Sequence, residues 1–186
     1  MNKKHASCIL FAAWFFILAG CATHLSKPSK SPEPSAVRLG TFDRAEMKAV
    51  GISDSFAGNS ANQRALKKIN EHLFSDMRIV FPNLKRIETG ENFSTGSDHT
   101  LQITPYVKEI KFIGGGARFW VGAMAGSSAV LMQATFTDSS TGKIIADPEF
   151  YRSAGAYAGG WTVGATDNHM LADIARDVID YTTLNK

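Results

Sequence analysis

The first 21 residues set the terms on which the rest of the chain can fold. They read in order as a basic start at Lys3 and Lys4, an apolar run from Ile9 to Leu18, and small residues ending in Leu18-Ala19-Gly20-Cys21. This is the tripartite pattern of an exported leader, and its apolar run is too short to span a bilayer stably. Cysteine usage turns export into a folding constraint. The chain has two cysteines, and Cys8 lies inside the leader, so no thiol pair is left downstream of Cys21. An exported domain without disulfides must hold itself together by packing alone. The chain of 186 residues leaves enough, after a leader is removed, for one domain with a hydrophobic core.

Leu18-Ala19-Gly20-Cys21 resembles the lipobox of bacterial lipoproteins. The resemblance implies that residues 1–20 are a signal peptide, that the Cys21 thiol is coupled to diacylglycerol, and that the new amine is acylated. One acyl chain binds a membrane only marginally, whereas several hold firmly, so the implied partner of Cys21 is the membrane itself. Ala22 follows the cysteine where, in enterobacterial sorting, an aspartate favours retention at the inner membrane. The expectation is therefore outer-membrane anchoring with the domain facing the periplasm. Taking Lys3 and Lys4 from the 20 Lys+Arg leaves 18 against 17 Asp+Glu. That balance gives no electrostatic argument for a nucleic-acid partner.

Residues 21–35 read as the lipidated cysteine and a linker rich in proline and serine, with Pro28, Pro32 and Pro34 and almost no apolar side chains. Such a segment favours extended conformations near 3.1 Å per residue, a tether of roughly 40 Å. The folded domain is expected over 36–186. Val37 to Phe42 alternates as a first strand. From Asn59 to about Met77, Leu66, Ile69, Leu73 and Met77 recur as one stripe of a helix, with Asn59 or Ser60 as its cap. A polar loop from Thr89 to His99 precedes a long strand over Leu101–Ile113, in which Pro105 marks an edge position or a bulge. Ala129 to Thr137 alternates again, Asp138 to Lys143 supplies turn chemistry, and Ile144 to Ser153 returns as the hairpin partner. Leu171, Ile174, Val178 and Tyr181 describe a last helix, with Thr166 and Asp167 as candidate caps. The order β-α-β-β-β-α predicts a single α+β domain: an antiparallel or mixed sheet of about four strands with two helices on one face.

Two glycine and aromatic stretches flank the hairpin, one over 114–128 and one over 155–164. Hairpin geometry brings the start of its first strand and the end of its second to the same end, so both stretches are expected to converge opposite the Asp138 turn. Phe119, Trp120, Tyr157 and Trp161 carry large apolar area with polar edges, and Arg118 adds a rigid cationic fork. Those residue types dominate interface hot spots, so the five form a candidate binding surface. The alternative is that the glycines permit tight crossings and the aromatics close the core. Gly114 and Gly116 give a GxG, but Phe119 stands where a dinucleotide fingerprint needs its third glycine.

No motif of a hydrolase, metalloprotease, redox dithiol or calcium loop is present in the sequence, and His72, His99 and His169 share no ligand spacing. No catalytic residue, metal or cofactor is expected. Asp138 and Glu149 are the carboxylates that a glycan hydrolase would need on opposite walls of a cleft, although Asp138 is placed where a turn calls for Asp anyway. The set Asp98-x-x-Leu101-x-Ile103, Gly116-x-Arg118 with Gly122 and Gly126, Asp138-Ser139-Ser140-Thr141-Gly142-Lys143 and Gly159-Gly160 resembles a family of Gram-negative lipoproteins whose domain has no assigned function. The resemblance covers roughly 36–184 and brings no catalytic residues. It implies a non-enzymatic envelope lipoprotein that contacts an envelope protein or peptidoglycan, or else a self-assembling subunit of an envelope or secretion complex, whose oligomeric state the sequence leaves open.

Overall fold

The structure is a computed structural model, and it describes residues 25, 27–28, 31–94, 99–113, 127–154 and 165–186, with side chains from 168 onward in the last span. Its elements in chain order are a 3-10 turn at Leu39–Thr41, strand β1 (Arg44–Lys48), β2 (Gly51–Ile52), the short helix α1 (Asp54–Ala57), helix α2 (Ser60–Val80), β3 (Leu84–Ile87), β4 (Thr100–Lys111), β5 (Ala129–Asp138), β6 (Ile144–Ala146), β7 (Glu149–Ser153) and helix α3 (Ala165–Leu184).

Helix α2 follows its apolar spacing. Ala65, Ile69, Leu73, Met77 and Val80 are buried in one stripe, and Leu66 packs at its margin. The Asn59 side chain accepts from the backbone N–H groups of Ala61 and Asn62 at 2.8 and 3.3 Å, satisfying two donors that a helix start leaves open. The helix runs one turn past Met77 because Val80 continues the buried stripe, and Pro82 lies just beyond its end.

The first strand lies elsewhere than the alternation of Val37–Phe42 implied. Leu39 and Phe42 are both buried, three residues apart around a single turn, while Val37 is exposed. A 3-10 turn puts both apolar side chains on the core side, which a strand cannot do at that spacing. Strand β1 begins two residues later, with Ala45 and Met47 in the core and Glu46 on the opposite face.

The sheet runs β3-β1-β4-β5-β6, with β2 also on β4 and β7 also on β5. β1 is parallel to both β3 and β4, β2 is parallel to β4, and β5 is antiparallel to β4, β6 and β7. The mixed α+β sheet agrees with expectation, but about four strands and the order β-α-β-β-β-α do not. Two strand positions are each broken in two, β1 from β2 at Ala49-Val50 and β6 from β7 at Asp147-Pro148, and the short β3 adds an edge. α2 and α3 pack side by side against one face, and their apolar stripes share a cluster with Leu101, Ile103, Val107, Ile110, Val130, Met132 and Phe136 of the strands.

Pro105 is neither at an edge nor in a bulge. It pairs with Ala134 in the middle of the β4–β5 ladder, whose register shift falls later, between Val107 and Glu109. Ala134 donates its N–H away from β4, to the carbonyl of Pro148 at 3.0 Å. The 105/134 pair is thus a non-hydrogen-bonded one, and the N–H that proline lacks would have faced the gap between β1 and β2.

The hairpin turn forms as read from the sequence. The Asp138 carboxylate accepts from the Ser140 N–H, the Ser140 hydroxyl and the Thr141 hydroxyl at 2.9, 2.7 and 3.0 Å, and Gly142 takes a φ of +67° that favours glycine.

Candidate functional site

Three strand termini meet at one end of the sheet: Lys111 of β4 stands opposite Ala129 of β5, which stands opposite Ser153 of β7. Ser128, fully buried, fastens them. Its hydroxyl accepts from the Ile113 N–H at 3.0 Å, and its carbonyl accepts from the Ala154 N–H at 2.8 Å. Ile113 is the residue before the first glycine and aromatic stretch, and Ala154 is the residue before the second. The structure therefore roots both stretches at one point, on the opposite side of the hairpin from the Asp138 turn, as hairpin geometry requires.

A second buried polar residue holds the same end. Asn62, in the first turn of α2 and 4% exposed, accepts from the Phe112 N–H at 3.2 Å and donates to the carbonyls of Ile110 and Phe56 at 3.5 and 3.2 Å. β2 covers this side of β4 only as far as Val107, whose carbonyl takes the Ser53 N–H at 3.0 Å. Beyond it the Asn62 amide supplies the donor and the acceptor that a neighbouring strand would have supplied. The beginning of α3 is tied down as well, because Lys68 of α2 donates to the Asn168 side chain at 2.6 Å.

Arg118, Phe119, Trp120, Tyr157 and Trp161 lie outside the described residues, as does Cys21, so what is placed is the frame that borders the segments holding the first five. Asp138 and Glu149 do not face each other across a cleft. Asp138 pairs with Leu101 at the turn, Glu149 pairs with Gln133 five residues back along β5, and each carboxylate is engaged locally. Glu149 accepts from Lys108 at 2.5 Å, and that hydrogen bond raises the lysine's pKa, outweighing the opposing effect of burial. Among the described residues no three His, Cys, Asp or Glu side chains gather where a metal ion would sit.

Sequence reasoning passed over two features. Glu46, 5% exposed on the face of the sheet away from the helices, accepts from the Ser94 N–H at 2.8 Å, from the Ser94 hydroxyl, and from Lys85 at 3.4 Å. Burial alone would push its carboxyl up, but these hydrogen bonds together hold it below the ordinary value. The alternation Ala45-Glu46-Met47 was the available signal, with one charge between two apolar residues. The second feature is the proline-rich run, which is bonded to the domain at its end: the Ser35 N–H donates to the Asn185 side chain at 2.8 Å, the Ala36 N–H to the Ile145 carbonyl at 2.9 Å, and the Tyr181 hydroxyl to the Glu33 carbonyl at 2.9 Å.

No helix among the described residues is long and apolar enough to cross a membrane. No family model matches the sequence, and no curated protein matches it. Among solved structures the chain is similar to protein XCC0632 from Xanthomonas campestris, of the family DUF330, at 8% identity and a TM-score of 0.50, over 86% of this chain and 93% of that one. It is also similar to a PelC dodecamer subunit from Paraburkholderia phytofirmans, at 10% identity and a TM-score of 0.45, over 83% and 94% of the two chains. A minor lipoprotein from Acinetobacter baumannii follows at 10% identity and a TM-score of 0.30, over 75% and 91%. At a TM-score of 0.50 the likeness to the Xanthomonas protein carries weight, and at such identity it speaks to the mixed α+β fold alone.

Proposed function

We propose that this chain is an envelope lipoprotein, anchored through acylated Cys21 in the outer membrane with its domain in the periplasm, that acts by binding rather than catalysis. Residues 1–20 are the signal peptide, 21–35 the lipidated cysteine and linker, and 36–186 the domain. The binding surface is built from Arg118, Phe119, Trp120, Tyr157 and Trp161, and its partner is an envelope protein or peptidoglycan. One observation supports this reading above the others. Ser128 ties Ile113 to Ala154, so two segments rich in residues that anchor interfaces begin next to a single buried point. Replacing Trp120 and Trp161 together by alanine is expected to abolish crosslinking to the partner in intact cells while the melting temperature stays close to that of the parent. Retention of every crosslinked partner in a folded double variant would end the assignment.

A second reading, a self-assembling subunit of an envelope complex, is favoured by the far edge of the sheet. Among the described residues β3 pairs with β1 on one side and with no strand on the other. Beside that edge Ile79 is 79% exposed, next to a hollow lined by Phe74, Arg78, Pro82 and Arg86. An open edge next to exposed apolar surface is the kind that copies of a chain pair through. Sedimentation of the detergent-solubilised protein decides it: an oligomer that Ile79→Glu dissociates supports self-assembly, and a monomer removes it.

A further inference from the structure

The described part of the proline-rich segment, Lys27-Pro28 and Ser31 to Pro34, lies in a groove. Lys27, Pro28 and Pro32 line a hollow together with Phe150, Tyr151 and Arg152 of β7 and Asp177 and Tyr181 of α3. Pro28, Pro32, Pro34 and Ala36 line a second hollow with Ile144 to Glu149. Tyr181 is 7% exposed, packs its ring 5.9 Å from that of Phe150, and turns its hydroxyl to the Glu33 carbonyl. Aromatic walls with a tyrosine hydroxyl donating to a backbone carbonyl are how grooves take up proline-rich extended chains, which have little conformational entropy left to lose. The segment also covers the outer edge of β6 and β7, where prolines offer no N–H for another strand to use.

The direction of the run has a consequence for the anchor. Of the two hollows, Ala36 lines the one along Ile144 to Glu149, and Lys27 the one along Glu149 to Arg152. Read from Ala36 back to Lys27, the segment therefore climbs β7 toward Ser153, the end of the sheet at which Ile113, Ser128 and Ala154 meet. We propose that Lys27-Pro28 and Ser31 to Pro34 form a docked strap that brings the anchored cysteine to this end of the domain and turns this end, rather than the Asp138 turn, toward the bilayer. The proposal rests on Cys21 being the lipid-bearing residue. With the strap seated, Cys21 lies six chain steps from Lys27, a reach of about 20 Å at most, against the roughly 40 Å of a fully free linker. The root of both aromatic stretches then faces the membrane surface, and the partner class narrows to one met at that surface.

Energy transfer to the membrane tests the orientation. Full-length lipid-bearing protein is reconstituted in vesicles of phosphatidylethanolamine and phosphatidylglycerol that carry an acceptor dye on their headgroups. A donor dye is placed on a single introduced cysteine, Ser153→Cys at the root end or Thr141→Cys at the turn; both sites are exposed. The two sites stand about 30 Å apart along the hairpin, so a docked strap gives several-fold more transfer from position 153 than from 141. The variant Pro28→Ala/Pro32→Ala/Tyr181→Phe, checked for an unchanged fold by circular dichroism, is expected to erase that difference. Equal transfer from both positions with the strap intact, or a difference that survives the triple variant, overturns the proposal. Flotation with the vesicles reads the anchor separately: protein that fails to float with them overturns the Cys21 reading itself.

Discussion

Ser128 and Asn62 show how two uncharged side chains hold one end of a sheet. Each is buried, and each answers backbone groups that the strands leave over at their ends. Removing such a partner costs more than the hydrogen bond, because the group left behind stays out of water. Ser128→Ala strands the Ile113 N–H and is expected to lower unfolding free energy by about 1–3 kcal/mol, read from urea denaturation, with faster hydrogen exchange at Ile113 as the local sign. Glu46 is the charged counterpart on the sheet's other face. Its folded carboxyl titrates below the ordinary 4.5, so its stabilising contribution is fully present above the unfolded value and is lost as pH falls through the folded one. Glu46→Gln should therefore lower the melting temperature at neutral pH, by an amount that corresponds to about 1–3 kcal/mol, and should flatten the parent's loss of stability below pH 4.5. Melting curves across that range check it, and parallel curves for parent and variant would remove the role assigned to Glu46.

Among the elements, α2 was the most legible, because four turns of regular apolar spacing have few other solutions. Its stability comes from the buried stripe more than from its cap. Leu73, fully buried at its centre, is expected to cost about 2–5 kcal/mol on replacement by alanine, whereas Asn59→Ala should cost about 1 kcal/mol. Thermal unfolding of the two variants ranks them, and a reversed order would mean that the cap governs the helix. The hairpin of β5 with β6 and β7 was legible for a similar reason: alternation runs into a turn whose Asp, Ser, Thr and Gly each have a local job. β1 and β3 were not. Arg44-Ala45-Glu46-Met47-Lys48 has two apolar residues in five, and Leu84-Lys85-Arg86-Ile87 shows no alternation, so neither carries a periodic signal. Each forms because its neighbours in the sheet leave a row of unpaired backbone groups to be filled.

At the scale of the whole molecule, a chain with no cysteine beyond Cys21 holds its domain by one continuous core, which joins the stripes of both long helices to the inner face of the strands. Beyond Cys21 the sequence has no thiol to pair, so a reducing agent should leave the melting temperature of the domain unchanged. A shift on reduction would reveal a covalent link between chains. The two sheet edges are treated differently. One is covered by the chain's own proline-rich segment, and along β3 no further strand pairs among the described residues. That asymmetry is what separates a tethered binder from a self-assembling subunit in the experiments above.

The order of residues determined, without help, what depends on near neighbours: the capped amphipathic helix, the hairpin with its turn, and the common end at which the glycine and aromatic stretches begin. Those follow from side-chain period and from hydrogen bonds that span a few positions. Where β1 begins, why Pro105 is tolerated in mid-sheet, how Asn62 stands in for a strand and where Ser31 to Ala36 lies were decided only in three dimensions. Each rests on contacts between residues far apart in the chain, and in those places burial and backbone pairing outweighed what the local pattern preferred.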